Sequence, residues 1–184
     1  IDLLLGLLKP QQGMVIYNKK LLEDSYSTWR KHVAYLPQQI FLIDDTLKAN
    51  IALGVNDCDI NEEKLNTSLR MAQLSELIEQ LAEGVNTIIG ERGIKLSGGQ
   101  KQRISLARAF YHERDVLVMD ESTSALDEDT EREIVNEIQK LKGSKTLIII
   151  AHRLSTLHHC DRIYRLEKGR IMDFGTAKKM LNLR

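Results

Sequence analysis

The sequence predicts an α/β fold in which a parallel β-sheet core carries an inserted α-helical subdomain. Two strongly apolar runs, residues 116–119 and 146–150, enclose a helical pattern. That spacing suits two parallel strands joined by a right-handed crossover. A third apolar run, residues 32–36, stops at Pro37 and predicts another strand. Residues 45–93 carry a succession of helical patterns instead, and they predict the inserted subdomain.

The N-terminal residues are apolar, but the run is short. Residues 1–8 predict a buried helix that ends at Lys9 and Pro10. The run is shorter than the ~18 apolar residues that span a bilayer, and no basic residues precede it as in a signal peptide. Because the chain starts inside this pattern without methionine, we expect it to be a piece of a longer protein, with N-terminal strands missing. Residues 13–17 predict a strand, and residues 18–20 a turn.

The middle of the chain predicts helices over residues 46–53, 61–73 and 75–81. Leu65, Leu69 and Ala72 recur at the spacing of one helix face. Strand signals disappear in this region. We therefore expect the α/β core to comprise residues 1–44 and 94–184, and the helical subdomain to comprise residues 45–93.

The last third predicts a crossover helix followed by a hairpin. Asp127 or Asp129 is expected to cap the helix, and Gly143 to end it. Ile134 and Ile138 belong to its apolar stripe. Residues 163–166 and 170–174 then predict a β-hairpin, and residues 178–183 a final helix.

Composition excludes some functions. The 26 basic residues are balanced by 26 acidic residues, so no global basic field favours nucleic acid. Cys58 and Cys160 lie far apart, which favours free thiols over a disulfide framework. Adjacent residues point in different directions, so the run from His158 to Asp161 is not expected to hold a metal.

One motif has the form of a helix start that faces an anion. It reads Leu96-Ser97-Gly98-Gly99-Gln100. Ser97 and Gln100 have the spacing of a capping box, and the two glycines leave backbone N–H groups uncovered. The motif alone fits an ordinary capped helix equally well.

A second group of polar residues follows the predicted strands. Asp120 and Glu121 come directly after residues 116–119, Gln38 follows residues 32–36, and His152 follows residues 146–150. Carboxyl ends of parallel strands meet at one sheet edge, where an acid can hold Mg²⁺ and its neighbour can orient water. A solvated, idle acid pair and a structural histidine are the alternatives. The run from Ser124 to Asp127 predicts only a helix entry.

Taken together, these motifs resemble the ATP-binding cassette (ABC) family of ATPases, whose core has a P-loop NTPase-like (RecA-like) fold. The resemblance rests on five motifs in order: Gln38 in the Q-loop, residues 96–100 as the signature, residues 116–121 as the Walker B strand with its glutamate, residues 124–127 as the D-loop, and His152 as the switch histidine. Residues 45–51 and 90–93 are similar to exporter segments, although Ile88 stands where exporters often carry Glu.

The resemblance implies a role for each site residue, with ATP and Mg²⁺ as cofactors. Glu121 is the implied general base and His152 stabilises the transferring phosphoryl group, while Gln38 and Asp120 serve Mg²⁺. The implied nucleotide contacts are Ser97, Gly98, Gly99, Gln100 and, across the dimer, Asp127. Two such domains bind head to tail, so each signature serves the partner's ATP.

The resemblance also implies a cellular location and partners for the chain. The chain is expected to be part of an exporter at the cytoplasmic face of a membrane, with a transmembrane domain as partner and no nucleic acid. Lipids or lipid-linked sugars are plausible cargo, and a soluble ABC ATPase of cluster assembly, translation or DNA repair is the alternative.

The 184 residues contain no Gly-rich loop ending in Lys-Ser/Thr, the Walker A loop that cradles the phosphates. We therefore expect the chain alone to bind ATP very weakly and not to hydrolyse it. We also expect an exposed sheet edge to favour oligomers or a swapped arrangement.

Overall fold

The structure, a computed structural model, describes residues 1–90, 93–121, 126–150 and 157–181. Its α-helices in these ranges are α1 (Asp2–Leu5), α2 (Tyr26–His32), α3 (Leu47–Ile51), α4 (Glu62–Met71), α5 (Ser75–Gln80), α6 (Gly98–Tyr111), α7 (Glu128–Lys140) and α8 (Ala177–Met180). Its strands are β1 (Ile16–Tyr17), β2 (Lys20–Leu21), β3 (Val33–Leu36), β4 (Asp45–Thr46), β5 (Ile88–Ile89), β6 (Val116–Asp120), β7 (Thr146–Ile150), β8 (Ile163–Glu167) and β9 (Arg170–Gly175).

The central sheet is parallel, as the sequence predicts. Its strand order is β3-β6-β7, with Val116 opposite Val33 on one side and Thr146 on the other. The middle strand β6 is buried along its first four residues. Continuous burial explains why this segment is apolar at every position rather than at alternate ones.

The two faces of β6 contribute to different hydrophobic clusters. Leu117 and Met119 belong to the larger cluster, which also takes residues from α3, α4, α6 and α7. Val116 and Val118 belong to a second cluster, in which Trp29 of α2 is buried. This alternation follows from the two-residue side-chain period of a strand.

The described part of the predicted subdomain, residues 45–90 and 93, contains helices α3, α4 and α5, but it also contains strands. Asp45 and Thr46 in β4 pair antiparallel with Ile89 and Ile88 in β5. The expectation that strand structure disappears here was therefore wrong. A strand of two residues is too short to show an apolar period, so pairing between distant segments is not visible in the sequence.

The N-terminal segment differs from its prediction. Helix α1 ends at Leu5 and is capped by Gly6, whose φ of 70° is left-handed; a Cβ at Gly6 would lie 2.5 Å from the Tyr26 ring. Only Leu5 of this helix is buried, while Leu7 and Leu8 are more than half exposed. The prediction of a buried helix over residues 1–8 was wrong, because the apolar run has a packing partner along only part of its length.

The strand predicted over residues 13–17 was also too long. Only Ile16 and Tyr17 pair, in a short hairpin with Leu21 and Lys20. Gly13 has a φ of 78°, which interrupts an extended conformation before β1.

The C-terminal third follows its predicted order. Strands β8 and β9 form the expected hairpin, with Glu167 opposite Arg170 at its turn. Helix α8 begins at Ala177, one residue before the predicted start, because Thr176 caps it. The helix ends at Met180, with Leu181 as its C-cap, so the predicted extension to residue 183 was too long. None of the helices in the described part of the chain combines the length and apolar character needed to cross a membrane.

Candidate active site

The predicted capping box forms at the start of α6. The Gln100 backbone N–H donates to Ser97 Oγ at 3.2 Å, and the Ser97 N–H donates to Gln100 Oε1 at 2.8 Å. Gly98 and Gly99 occupy the first two helical positions. Because neither glycine has a side chain, the positive end of a 14-residue helix can approach an anion directly.

The predicted acid pair lies at the carboxyl end of the central strand. Asp120 is the last residue of β6, and Glu121 follows with a left-handed φ of 48°. The Glu121 N–H donates to the Ile150 carbonyl of β7 at 3.0 Å. This bond fixes a backbone conformation that a non-glycine residue rarely adopts, as is common for residues with a functional constraint.

Polar side chains surround the two carboxylates. Tyr35 Oη donates to Asp120 Oδ2 at 3.2 Å, and Gln38 Nε2 donates to Glu121 Oε2 at 3.0 Å. Gln102 Nε2 lies 3.5 Å from the Glu121 carbonyl oxygen. The structure therefore brings together the predicted Gln38, Asp120 and Glu121, and it adds two residues that the sequence analysis missed.

The two additional residues, Gln102 and Tyr35, differ in how easily the sequence identifies them. Gln102 is buried within the apolar face of α6, and a glutamine at a core position of a helix is detectable from the sequence. Tyr35 belongs to an apolar strand, where a tyrosine looks like ordinary core. Burial, followed by the charge of Asp120 and their hydrogen bond, raises the pKa of Tyr35, so the phenol remains a donor at neutral pH.

The oxygen atoms of this edge fit a magnesium ion that has further ligands. With Gln38 Nε2 engaged by Glu121, the amide oxygen is the atom of the Gln38 side chain left for a cation, and Asp120 offers a carboxylate at the same end of the sheet. Among the described residues, no group of three or more His, Cys, Asp or Glu could hold a metal. Mg²⁺ is typically bound by one or two protein oxygens together with phosphates and water, rather than by an all-protein cage.

Asp127 is the N-cap of α7, which decides between the two predicted caps. Its carboxylate accepts from the Thr130 N–H at 2.9 Å. Hydrogen bonds from Thr130 lower the pKa of Asp127, so the cap is charged at neutral pH. His152 and the first two residues of the predicted D-loop, Ser124 and Ala125, lie outside the described residues.

The segment that connects Gln38 to the helical region is anchored from two sides. Asn50 is fully buried, and its side chain exchanges hydrogen bonds with the Ile43 N–H and C=O at 2.9 and 3.0 Å. Arg108 Nε donates to the Asn50 carbonyl at 2.8 Å. Burial lowers the pKa of Arg108, whose guanidinium also contacts the Phe41 carbonyl. Gln38 therefore precedes a segment whose backbone is well fixed.

Comparison with known proteins identifies the family. A sequence profile described as ABC transporter matches residues 1–124, about two thirds of the chain. The chain belongs to the ABC transporter family. Its similarity extends beyond the matched residues, because a bacterial Atm1-family ABC exporter solved with ATP bound superposes on 98% of the chain with a TM-score of 0.91 and 32% identity. The α/β fold and the sequence-based family assignment are confirmed.

Curated relatives in the ABC transporter family carry one recurrent name. An ATP-dependent lipid A-core flippase of Ralstonia nicotianae is 38% identical over 99% of this chain, and one of Francisella tularensis is 42% identical over 83%. The chain spans 31% and 25% of the lengths of these two relatives, and 32% of the Atm1-family exporter chain.

Proposed function

We propose that this chain supplies most of the nucleotide-binding domain of an ABC exporter that couples ATP hydrolysis to the movement of a lipid or lipid-linked sugar across a membrane. The observation that carries the proposal is the edge formed by Gln38, Asp120 and Glu121 at the end of the buried central strand. The names of the relatives support the exporter class and the lipid substrate over a soluble ABC ATPase.

Each residue of this edge has its own role in the proposed hydrolysis. Glu121 accepts the proton of the attacking water, and the Gln38 amide and the Ile150 carbonyl hold it in place. Asp120 and the Gln38 oxygen would hold Mg²⁺, which neutralises phosphate charge when it is bound. Most of the rate enhancement in phosphoryl transfer comes from such positioning and electrostatics.

The signature residues serve the nucleotide of a partner domain in this proposal. Ser97 and Gln100 satisfy each other in the capping box, so the N–H groups of Gly98 and Gly99 are the ones in the first helical turn that would meet a phosphate. Asp127 would contact the partner across the head-to-tail dimer, and His152 would stabilise the transferring phosphoryl group. Residues 45–93 would form the helical subdomain between the core segments 1–44 and 94–184.

The proposed second partner is the transmembrane domain, which places the chain at the cytoplasmic face of a membrane. Exporters often use a glutamate for this contact where the chain has Ile88. Ile88 is 54% exposed in β5, so it offers an apolar contact at that position.

The deciding experiment measures ATP hydrolysis and lipid translocation by the transporter that carries this chain, reconstituted in lipid vesicles. Glu121→Gln should reduce turnover about 100-fold or more while nucleotide binding is retained, since general-base catalysis contributes about 10² to 10⁴. Glu128→Gln, an exposed carboxylate in α7, is the matched control. Equal turnover in both variants would contradict the role of Glu121.

A second measurement tests whether ATP binding depends on a phosphate-binding loop that the 184 residues lack. Titration of the isolated 184-residue chain with a fluorescent ATP analogue should show very weak binding. Micromolar affinity would contradict that expectation. Translocation of a labelled lipid that stops with Glu121→Gln would support the exporter, whereas ATP hydrolysis that is insensitive to any lipid would favour the soluble class.

A further inference from the structure

We propose that Gln102 is a positioning residue that orients the main chain of Glu121, so that helix α6 takes part in two nucleotide sites. The start of α6 meets the partner's phosphate in the proposed function, and Gln102 holds the general base of the chain's own site. The inference rests on the proposed function, because it takes Glu121 as the general base. It follows from the burial of Gln102, from its contact with Glu121 and from the backbone conformation of Glu121.

Gln102 occupies a core position of α6. It is 3% exposed and shares one helix face with Leu106 and Ala109, four and seven residues later, which are also buried. Burial of a side-chain amide is unfavourable unless the amide is hydrogen-bonded. Gln102 Nε2 lies 3.5 Å from the carbonyl oxygen of Glu121, and this long hydrogen bond joins α6 to the end of β6. The contact with the active-site edge accounts for a polar side chain on an otherwise apolar face.

The main chain of Glu121 is held on both sides of its Cα atom. Its N–H donates to the Ile150 carbonyl of β7 at 3.0 Å, and its own carbonyl accepts from Gln102. The φ of 48° is left-handed, a conformation that persists in a non-glycine residue only when its surroundings impose it. Fixing the peptide groups before and after a Cα atom fixes the direction of its Cα–Cβ bond. Gln102 and Ile150 therefore determine together where the Glu121 side chain begins.

The side chain and the main chain of Glu121 are held by different elements. Gln38, which follows β3, donates to Glu121 Oε2 at 3.0 Å, whereas Gln102 of α6 acts on the backbone. Ser97, the N-cap of the same helix, lies five residues before Gln102, or about 7.5 Å along the helix axis. The two tasks of α6 are thus far enough apart to be altered separately.

The test measures ATP hydrolysis by the reconstituted transporter that carries this chain. Gln102→Met keeps a long, unbranched side chain of similar helix propensity but removes the N–H donor. Because a displacement of about 1 Å can reduce a rate about 100-fold, we expect kcat to fall about tenfold, with KM for ATP changed less than about twofold. Gln139→Met is the matched control in α7, where the Gln139 Nε2 is buried without a hydrogen-bond partner among the described residues. It should leave kcat unchanged.

A double-mutant cycle separates positioning of Glu121 from a general effect on the fold. If Gln102 acts through Glu121, Gln102→Met should change single-turnover hydrolysis less than about twofold when it is combined with Glu121→Gln. A further tenfold loss in that background would show that Gln102 acts independently of the general base. That result, an unchanged kcat in Gln102→Met alone, or an equal loss in Gln139→Met would overturn the inference and leave the role of Glu121 intact.

A second variant covers the case in which Gln102→Met does not fold, as judged by far-ultraviolet circular dichroism. Gln102→Asn keeps an amide but is one methylene shorter, so it should also lower kcat, and full activity in this variant would contradict the inference. Failure of the proposed function gives a different result. If Glu121→Gln leaves turnover unchanged, Glu121 is not the general base, and the inference falls with that assignment.

Discussion

Replacement of Asn50 by alanine tests whether the segment after Gln38 is held by buried hydrogen bonds. The Asn50 side chain makes three bonds of 2.9 to 3.1 Å, to the Ile43 N–H and C=O and to the Thr46 carbonyl, and a longer one of 3.4 Å to the Asp45 carbonyl. A hydrogen bond contributes about 1 kcal/mol net, so the loss of three lowers the free energy of unfolding by about 3 kcal/mol.

Equilibrium unfolding in urea, followed by far-ultraviolet circular dichroism and by Trp29 fluorescence, measures this loss. With a slope of about 2 kcal/mol/M, the midpoint should fall by about 1.5 M while the slope stays constant. Asn50→Asp keeps the acceptor for the Ile43 N–H but directs a carboxylate oxygen at main-chain carbonyls in a fully buried site. It should be at least as destabilising.

The matched control is Asn56→Ala. Asn56 is exposed and makes an exposed hydrogen bond to Asp59, so its replacement should change stability by less than about 0.5 kcal/mol. If Asn50→Ala is destabilised by less than about 1 kcal/mol with an unchanged slope, the buried network does not hold this segment and the reasoning is wrong.

Two further predictions concern a histidine and the signature serine. Burial, followed by the charge of Arg114, lowers the pKa of His112 below its ordinary value of 6.5. The unfolded chain therefore binds more protons as the pH falls, so urea stability should decrease between about pH 7.5 and 5.5. His112→Gln should flatten this profile, and an unchanged slope with pH would contradict the assignment. Ser97→Ala should cost about 1 kcal/mol through loss of the N-cap, whereas Ser97→Asp should retain stability, because aspartate also caps helices. In the reconstituted transporter Ser97→Asp should nevertheless impair hydrolysis, since it places a negative charge where the partner's phosphate binds; normal hydrolysis would argue against an anion site.

The parts of the fold that the sequence predicted correctly depend on local signals. The apolar runs of β6 and β7 and the caps at Ser97 and Asp127 are each contained in a few neighbouring residues. The β4–β5 pair joins residues more than forty positions apart, so no local pattern reveals it. The burial of the N-terminal apolar run was predicted wrongly from a local signal. An apolar composition indicates that a segment can be buried, but it does not indicate whether other elements cover it.

The residues of the candidate site likewise divide into those that a local sequence signal predicted and those that it did not. Gln38, Asp120 and Glu121 were predicted because polar residues at the ends of apolar strands must share an edge of a parallel sheet. The hydrogen bonds of Tyr35 and Gln102 depend on side-chain reach between elements, which the sequence does not encode locally. His152 stays a prediction from its motif.

The position of Asp120 and Glu121 at the end of β6 limits the insertions that this strand can tolerate. Alternation along β6 assigns Val118 and Asp120 to one face and Met119 to the other, so insertion of a single residue before Met119 would exchange the faces of the residues that follow. Such an insertion would place the methionine at the position of Asp120 and move Asp120 to the opposite face, past the end of the strand. A two-residue insertion would preserve the faces but shift the acid beyond Tyr35. The length of this strand is thus constrained in both parity and extent. Glu121, with its left-handed backbone, lies just past the end of the strand, so either insertion would also displace it from the Ile150 carbonyl and from Gln38.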